Sequence, residues 1–155
     1  MNDTVYLTTE GKDDLERELD VLINVKRPEL ARKLTEAVAQ GDLKENADYH
    51  DAKEQQAFIE GRIKYIETIL KTAVVVENNG NTDVVSIGSQ VTIVEDGSTE
   101  EETYTIVGAA EANPSEGKIS NASPIGSALL GKSKGAKVKV STPAGELSFK
   151  IKRIN

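Results

Sequence analysis

Cysteine and tryptophan are absent from the 155 residues, and histidine occurs once. Without cysteine the chain has no disulfide framework, no thiol nucleophile and no thiolate metal site. One histidine and no tryptophan leave ordinary imidazole catalysis and large aromatic pockets poorly supplied. No apolar run approaches the roughly 18 residues of a membrane span, and the opening MNDTVYLTTEGKDD lacks a basic segment followed by an apolar one. A soluble cytoplasmic protein is expected. Cations are in the minority, 19 Lys and Arg against 26 Asp and Glu, for a formal charge of −7. That is the wrong sign for a protein held to nucleic acid mainly through phosphates, so direct DNA contact is doubtful. The length allows one or two small domains with modest cores.

What the chain does have is helical periodicity on both sides of one short break, Gly41-Asp42-Leu43-Lys44-Glu45-Asn46-Ala47-Asp48-Tyr49. Gly41 can end one helix, and Asp42 with Glu45 three residues on reads as an Asp-x-x-Glu capping box for the next. The break is therefore expected to be the tip of an antiparallel helical hairpin with two carboxylates within one turn of each other. Their ordinary meaning is a helix cap; the alternative is a pair free for chemistry.

Thr8 or Thr9 is expected to cap the first helix, with Glu10, Asp13 and Asp14 near the positive end of its dipole. Leu15, Leu19 and Leu22 follow at coiled-coil spacing, and Ile23, Lys26, Leu30, Leu34, Ala37 and Gly41 continue with a hendecad between Ile23 and Leu34. Pro28 removes the hydrogen bond to the Asn24 carbonyl, which predicts a bend or loosened turn. On the returning helix Tyr49, Gln56, Ile63 and Leu70 share one heptad position, and Ala52, Ile59, Ile66 and Ala73 the other. Small and polar residues weaken the tip half of this seam, and isoleucines strengthen the base. The hairpin is assigned to residues 1–77.

The polar run ENNGNTD marks a linker over 78–83, and residues 84–155 form a second domain. Val91 and Ile93, Tyr104 and Ile106, Val138 and Val140, and Leu147, Phe149 and Ile151 alternate with polar residues, as half-buried strands do. Ser123 suits an N-cap, Pro124 the first helical position and Gly131 the stop of one short helix. From residue 131 onward seven cations face the single acid Glu146. Lys137, Lys139, Lys150 and Lys152 fall on outward strand faces, either as a solvated face or as a docking surface for an acidic partner. The fold class is α+β: an antiparallel coiled-coil hairpin, then a small antiparallel β domain with one short helix.

The run GDLKENADYHDAKEQQAFIEGR from Gly41 to Arg62 resembles the tip and returning helix of the Gre family of bacterial transcript-cleavage factors, which act on RNA polymerase. The likeness continues in Leu7-Thr8 with Glu10-Gly11, Arg27-Pro28-Glu29, Tyr104-Thr105-Ile106-Val107-Gly108, Ser123-Pro124-Ile125 and Leu130-Gly131-Lys132. It spans nearly the whole chain in order. The resemblance implies an FKBP-like fold for the second domain and no catalytic activity of the protein's own.

By the same resemblance the tip enters the secondary channel of bacterial RNA polymerase as a monomer. There Asp42 and Glu45 stabilise a second Mg²⁺ in the polymerase active site, speeding the polymerase's own hydrolysis of backtracked RNA and creating a new 3′ end. Asn46 and Lys44 have supporting roles. Tyr49 either stacks near the displaced RNA 3′ end or closes the coil, and His50 is solvated. Ser123, Pro124 and Ile125 border the surface that grips the rim of the channel, with Ala122 standing where the family often has Asn or Asp. A prolyl isomerase is a rival reading, but its domain offers only the aromatics Tyr104 and Phe149. A purely structural coiled coil is another, and it gives no reason for carboxylates at a weakly packed tip.

Overall fold

The computed structural model describes residues 4–42, 44–78 and 80–155. Met1–Asp3, Leu43 of the tip motif and Asn79 of the expected linker lie outside the described residues. The chain folds as two compact units, Lys12–Thr72 and Ala73–Asn155 together with the residues up to Gly11.

The first unit is a helical hairpin. Its leading arm runs without interruption through α1 (Thr9–Val21), a π-turn (Leu22–Lys26) and α2 (Arg27–Ala39). Its returning arm is α3 (Ala47–Thr72), 26 residues or about 39 Å at ~1.5 Å per residue. The loosened turn expected around Pro28 is present as the π-turn just before it, where the Arg27 N–H donates to the Leu22 carbonyl five residues back. The hendecad is corrected by this geometry. Lys26, a step in that pattern, is exposed, and the widened turn takes up one residue, bringing the half-buried Leu22 and the buried Leu30 into a single seam. Two bidentate ion pairs bracket the irregularity, Arg62 to Glu18 at 2.6 and 2.8 Å and Arg27 to Glu60 at 2.8 and 2.7 Å.

Packing along α3 follows the expected gradient. Ala52 is buried near the tip, and Ile63 and Ile66 are buried toward the base, each worth roughly 1.5–3 kcal/mol. The seam also takes in Ile69, which a strict heptad leaves outside.

The second unit opens with a two-stranded parallel ladder, β1 (Tyr6–Thr8) with β2 (Val74–Val76), which the sequence reading did not anticipate. Its main sheet has five strands, β3 (Gln90–Glu95), β4 (Glu101–Val107), β5 (Lys118–Ser120), β6 (Lys137–Thr142) and β7 (Gly145–Ile154). They lie side by side in the order β5-β4-β3-β7-β6. Three pairings are antiparallel, and β4 with β5 is parallel, a departure from the all-antiparallel expectation. The parallel pair arises because two 3-10 turns, Ala109–Glu111 and Pro114–Glu116, carry the chain back before it re-enters the sheet.

Every residue assigned inward by alternation is buried or half-buried, including Val91, Ile93, Ile106, Val138, Val140, Phe149 and Ile151. The short helix α4 (Pro124–Leu129) touches both β5 and β6, the two edges of the order, so the sheet curls around it. Among the described residues no helix is long and apolar enough to cross a membrane.

Candidate functional site

At the hairpin tip α2 ends as its residues dictate. The Gly41 N–H donates to the Val38 carbonyl at 3.2 Å, and Gly41 takes φ +105°, a left-handed value that glycine adopts without strain. The capping box expected next does not form. Helix α3 starts four residues later than Asp42 would start it, and its cap is Asn46, whose Oδ1 accepts from the Tyr49 N–H at 3.1 Å. The amide of the same side chain donates to the Ala37 carbonyl at 2.7 Å. One residue thus caps the returning helix and ties it to the end of the leading one. That second bond selects Asn46 over Asp42, because a carboxylate has no hydrogen to donate to Ala37.

With the cap supplied elsewhere, the two carboxylates are left exposed. Asp42 accepts from the Lys44 N–H at 3.1 Å, a local turn, and Glu45 makes no hydrogen bond or ion pair among the described residues. Both line a shallow depression of about 290 Å³ together with Gln40, Asn46, Ala47 and Asp48. Tyr49 is half-buried and meets His50 edge to face at 5.5 Å, and the exposed His50 ring reaches the Lys44 carbonyl at 3.2 Å. Lys44 is exposed. The motif residues Asp42, Lys44, Glu45, Asn46 and Tyr49 therefore gather at one end of the hairpin.

The donor set suits a hard cation only in part. Two exposed carboxylates can supply the one or two protein oxygens that Mg²⁺ takes when waters and phosphates complete its octahedron. Among the described residues no group of three His, Asp or Glu is arranged to hold an ion unaided.

In the second unit Ser123 caps α4, accepting from Gly126 N–H at 3.0 Å and donating to the Ser120 carbonyl at 2.7 Å. Pro124 is exposed, while Ile125 packs partly into the core. Of the loop expected to meet a partner, the surface is thus Ala122 and Pro124, and Ser123 shapes it from beneath. The two aromatics of the domain are committed elsewhere: Phe149 lies in the core, and the Tyr104 hydroxyl donates to Glu102 at 2.7 Å.

Sequence reasoning also missed Glu111. Its carboxylate accepts from the Thr8 N–H at 2.8 Å, the Gly108 N–H at 3.1 Å and the Thr8 hydroxyl. Thr8 in turn caps α1, its Oγ1 accepting from the Gly11 N–H at 3.0 Å, as one of the two expected caps. Glycine at 108 is required, because a Cβ there would lie 1.6 Å from the Tyr6 carbonyl oxygen. The separation of 103 residues between Thr8 and Glu111 hides this clasp from any local pattern.

Residues 5–75 match the family model described as transcription elongation factor, N-terminal, and residues 80–155 match that described as transcription elongation factor, GreA/GreB, C-term. The chain is 49% identical over 149 residues to transcription elongation factor GreA of Bacillus subtilis, covering 96% of this chain and 95% of that protein. It is 51% identical over 150 residues to GreA of Roseiflexus castenholzii, covering 96% of each. A crystal structure of GreA factor homolog 1 from Thermus thermophilus aligns at 33% identity and TM-score 0.45, covering 98% of this chain and 99% of that one.

Proposed function

Because the chain belongs to the GreA/GreB family of transcription elongation factors, we propose that it acts on RNA polymerase by placing the hairpin tip in the secondary channel and stimulating cleavage of backtracked RNA. Residues 84–155 are the anchor in this reading, gripping the channel rim through the Ser123-Pro124-Ile125 loop, and the hairpin is the probe. The observation that carries it is the separation of duties at the tip. Asn46 does the structural work, and Asp42 and Glu45 project unpaired or nearly so where a helix cap would have consumed them.

In the complex Asp42 and Glu45 would hold one face of a Mg²⁺ ion whose other ligands come from polymerase, water and RNA phosphate. Such an ion supplies a hydroxide and stabilises the leaving oxygen in a two-metal displacement. Tyr49, half-buried at the first turn of α3, keeps the tip closed and sets its ring beside the site, and Lys44 adds positive charge next to it. In this reading the chain stimulates a reaction that polymerase performs.

The test uses arrested elongation complexes and the variants Asp42→Asn and Glu45→Gln. Neither residue caps a helix, so thermal stability should be unchanged. Cleavage should fall about a hundredfold, the equivalent of about 2.7 kcal/mol of transition-state stabilisation, while polymerase binding persists. Raising Mg²⁺ should restore part of the rate. Variants that stimulate like the parent would overturn the proposal.

A further inference from the structure

The returning arm carries an aromatic where the hairpin itself has no use for one. Phe58 is 73% exposed, more than any other large apolar side chain among the described residues, and Tyr65, seven residues on, is 44% exposed. Between them stands Gly61, where an added Cβ would meet nothing within 4 Å beyond the helix itself. A glycine in a helix interior weakens it relative to alanine. No packing against Gly61 within the hairpin offsets that loss.

These positions share one face. The seam toward the leading arm runs through Ala52, Ile59, Ile63 and Ile66, which are buried or half-buried. At about 100° per residue, Phe58, Gly61 and Tyr65 fall on the opposite side of α3. With Arg62 they occupy positions i, i+3, i+4 and i+7, the four residues that form the hole into which a side chain of a facing helix inserts. Phe58 and Tyr65 are its walls, and Gly61 is its floor, where another backbone can approach closely. Arg62 is fixed at the rim, bonded to Glu18 at 2.6 and 2.8 Å with its guanidinium carbon 5.4 Å from the Tyr65 ring centroid. The hole is therefore ordered before anything enters it.

Building on the reading that the hairpin enters RNA polymerase, we propose that this hole receives an apolar side chain from a polymerase helix beside the hairpin's path, a contact separate from both the tip and the Ser123 loop. Phe58 lies about 17 Å, and Tyr65 about 27 Å, behind the start of α3 at Ala47. A tip that reaches the polymerase active site thus carries this face into the channel with it. A second copy of the chain fits less well. The two rings present on the order of a few hundred Å², whereas a stable interface takes about 800 Å² from each partner. Such an area suits an addition to a complex anchored elsewhere. Single-stranded RNA needs cations along its backbone as well as rings for its bases. Here Glu54 stands one turn from Phe58 on the same face, and Arg62 is already engaged by Glu18.

Competition of full-length variants with labelled parent for RNA polymerase free of RNA tests this. Phe58→Ala should weaken binding about thirtyfold, as truncation of an aromatic anchor does, and Gly61→Ala about tenfold by filling the floor of the hole. Both should keep the parent's helical circular dichroism. Gly61→Ala should melt higher than the parent while binding less tightly, a combination that a merely structural glycine does not produce. In transcript cleavage the change should fall on the protein concentration that gives half-maximal stimulation, whereas Asp42→Asn and Glu45→Gln lower the maximum itself. Parental affinity in both variants would overturn this inference and leave the tip mechanism standing, and a parent that does not bind polymerase would overturn both. An effect of Phe58→Ala seen only with backtracked RNA present would make RNA the occupant, and self-association of the parent abolished by Phe58→Ala would make it a second copy; either result overturns the proposal.

Discussion

Replacing Asn46 should loosen the tip by an amount set by its two hydrogen bonds. Asn46→Ala removes the cap on α3, costing about 1 kcal/mol, and the bond to the Ala37 carbonyl, costing about 1 kcal/mol more. The second figure stays modest because that carbonyl also accepts from the Gln40 N–H at 3.2 Å. The total of about 2 kcal/mol corresponds to roughly a thirtyfold change in local opening. Asn46→Asp keeps the capping oxygen and places a negative charge at the helix N-terminus, a gain of about 0.3–1 kcal/mol. It loses the donor to Ala37, so its net cost should be under about 1 kcal/mol. Native-state hydrogen exchange reads this at the Tyr49 amide, the donor in the cap bond. The expected order of exchange is Asn46→Ala fastest, Asn46→Asp intermediate and parent slowest, with the base of the hairpin unaffected. In transcript cleavage Asn46→Ala should reduce stimulation with polymerase binding intact, because the carboxylates lose their fixed platform. Equal exchange at Tyr49 in all three proteins would refute the assignment of Asn46 as the structural residue of the tip.

Gly108→Ala should destabilise the sheet unit by about 1–3 kcal/mol, since its Cβ would collide with the Tyr6 carbonyl; Gly61→Ala, with open space around it in the middle of α3, should instead stabilise by about 0.5–1 kcal/mol, and thermal melts distinguish the two. The Arg62 hydrogen bond holds the Glu18 carboxyl below its usual range, so this contribution to hairpin stability is complete above the ordinary carboxylate value of 4.5 and lost as pH falls below it. Denaturant midpoints measured across that window should fall less steeply in Glu18→Gln than in the parent. Tyr104 is pushed up to about 12 by donation to Glu102, with burial adding to the shift. Ultraviolet titration should show one phenol ionising late, Glu102→Gln should bring it down, and the stability it lends is lost only as pH rises through the raised value.

Elements specified by neighbouring residues were legible in the sequence. Alternation located the inward faces of β3, β4, β6 and β7, and Ser123, Pro124 and Gly131 bounded α4, because period, cap and stop are local properties. The glycine stop of α2 at Gly41 and the Thr8 cap of α1 were legible for the same reason. What the sequence hid depends on partners far along the chain. Asp42 and Asn46 are equally good caps by residue type, and the choice turned on a carbonyl nine residues back across the hairpin turn. The Glu111 clasp and the parallel course of β5 are likewise set by contacts that no window of sequence contains. The valine run at residues 74–76 did carry a strand signal, obscured by its position directly after a long helix. In the π-turn, the cue was Pro28, and only the form of the irregularity was open.

The π-turn has a consequence for how the length of the leading arm can change. Elsewhere in a packed helix, adding or deleting one residue rotates everything beyond it by about 100° and turns the apolar seam to solvent. At Leu22–Lys26 one surplus residue is already accommodated, and Asn24 and Val25 there are exposed. Deleting either would let the turn revert to regular α-helix with the seam in phase on both sides. This short segment is therefore a place where a one-residue deletion can be absorbed without disturbing either the seam or the tip.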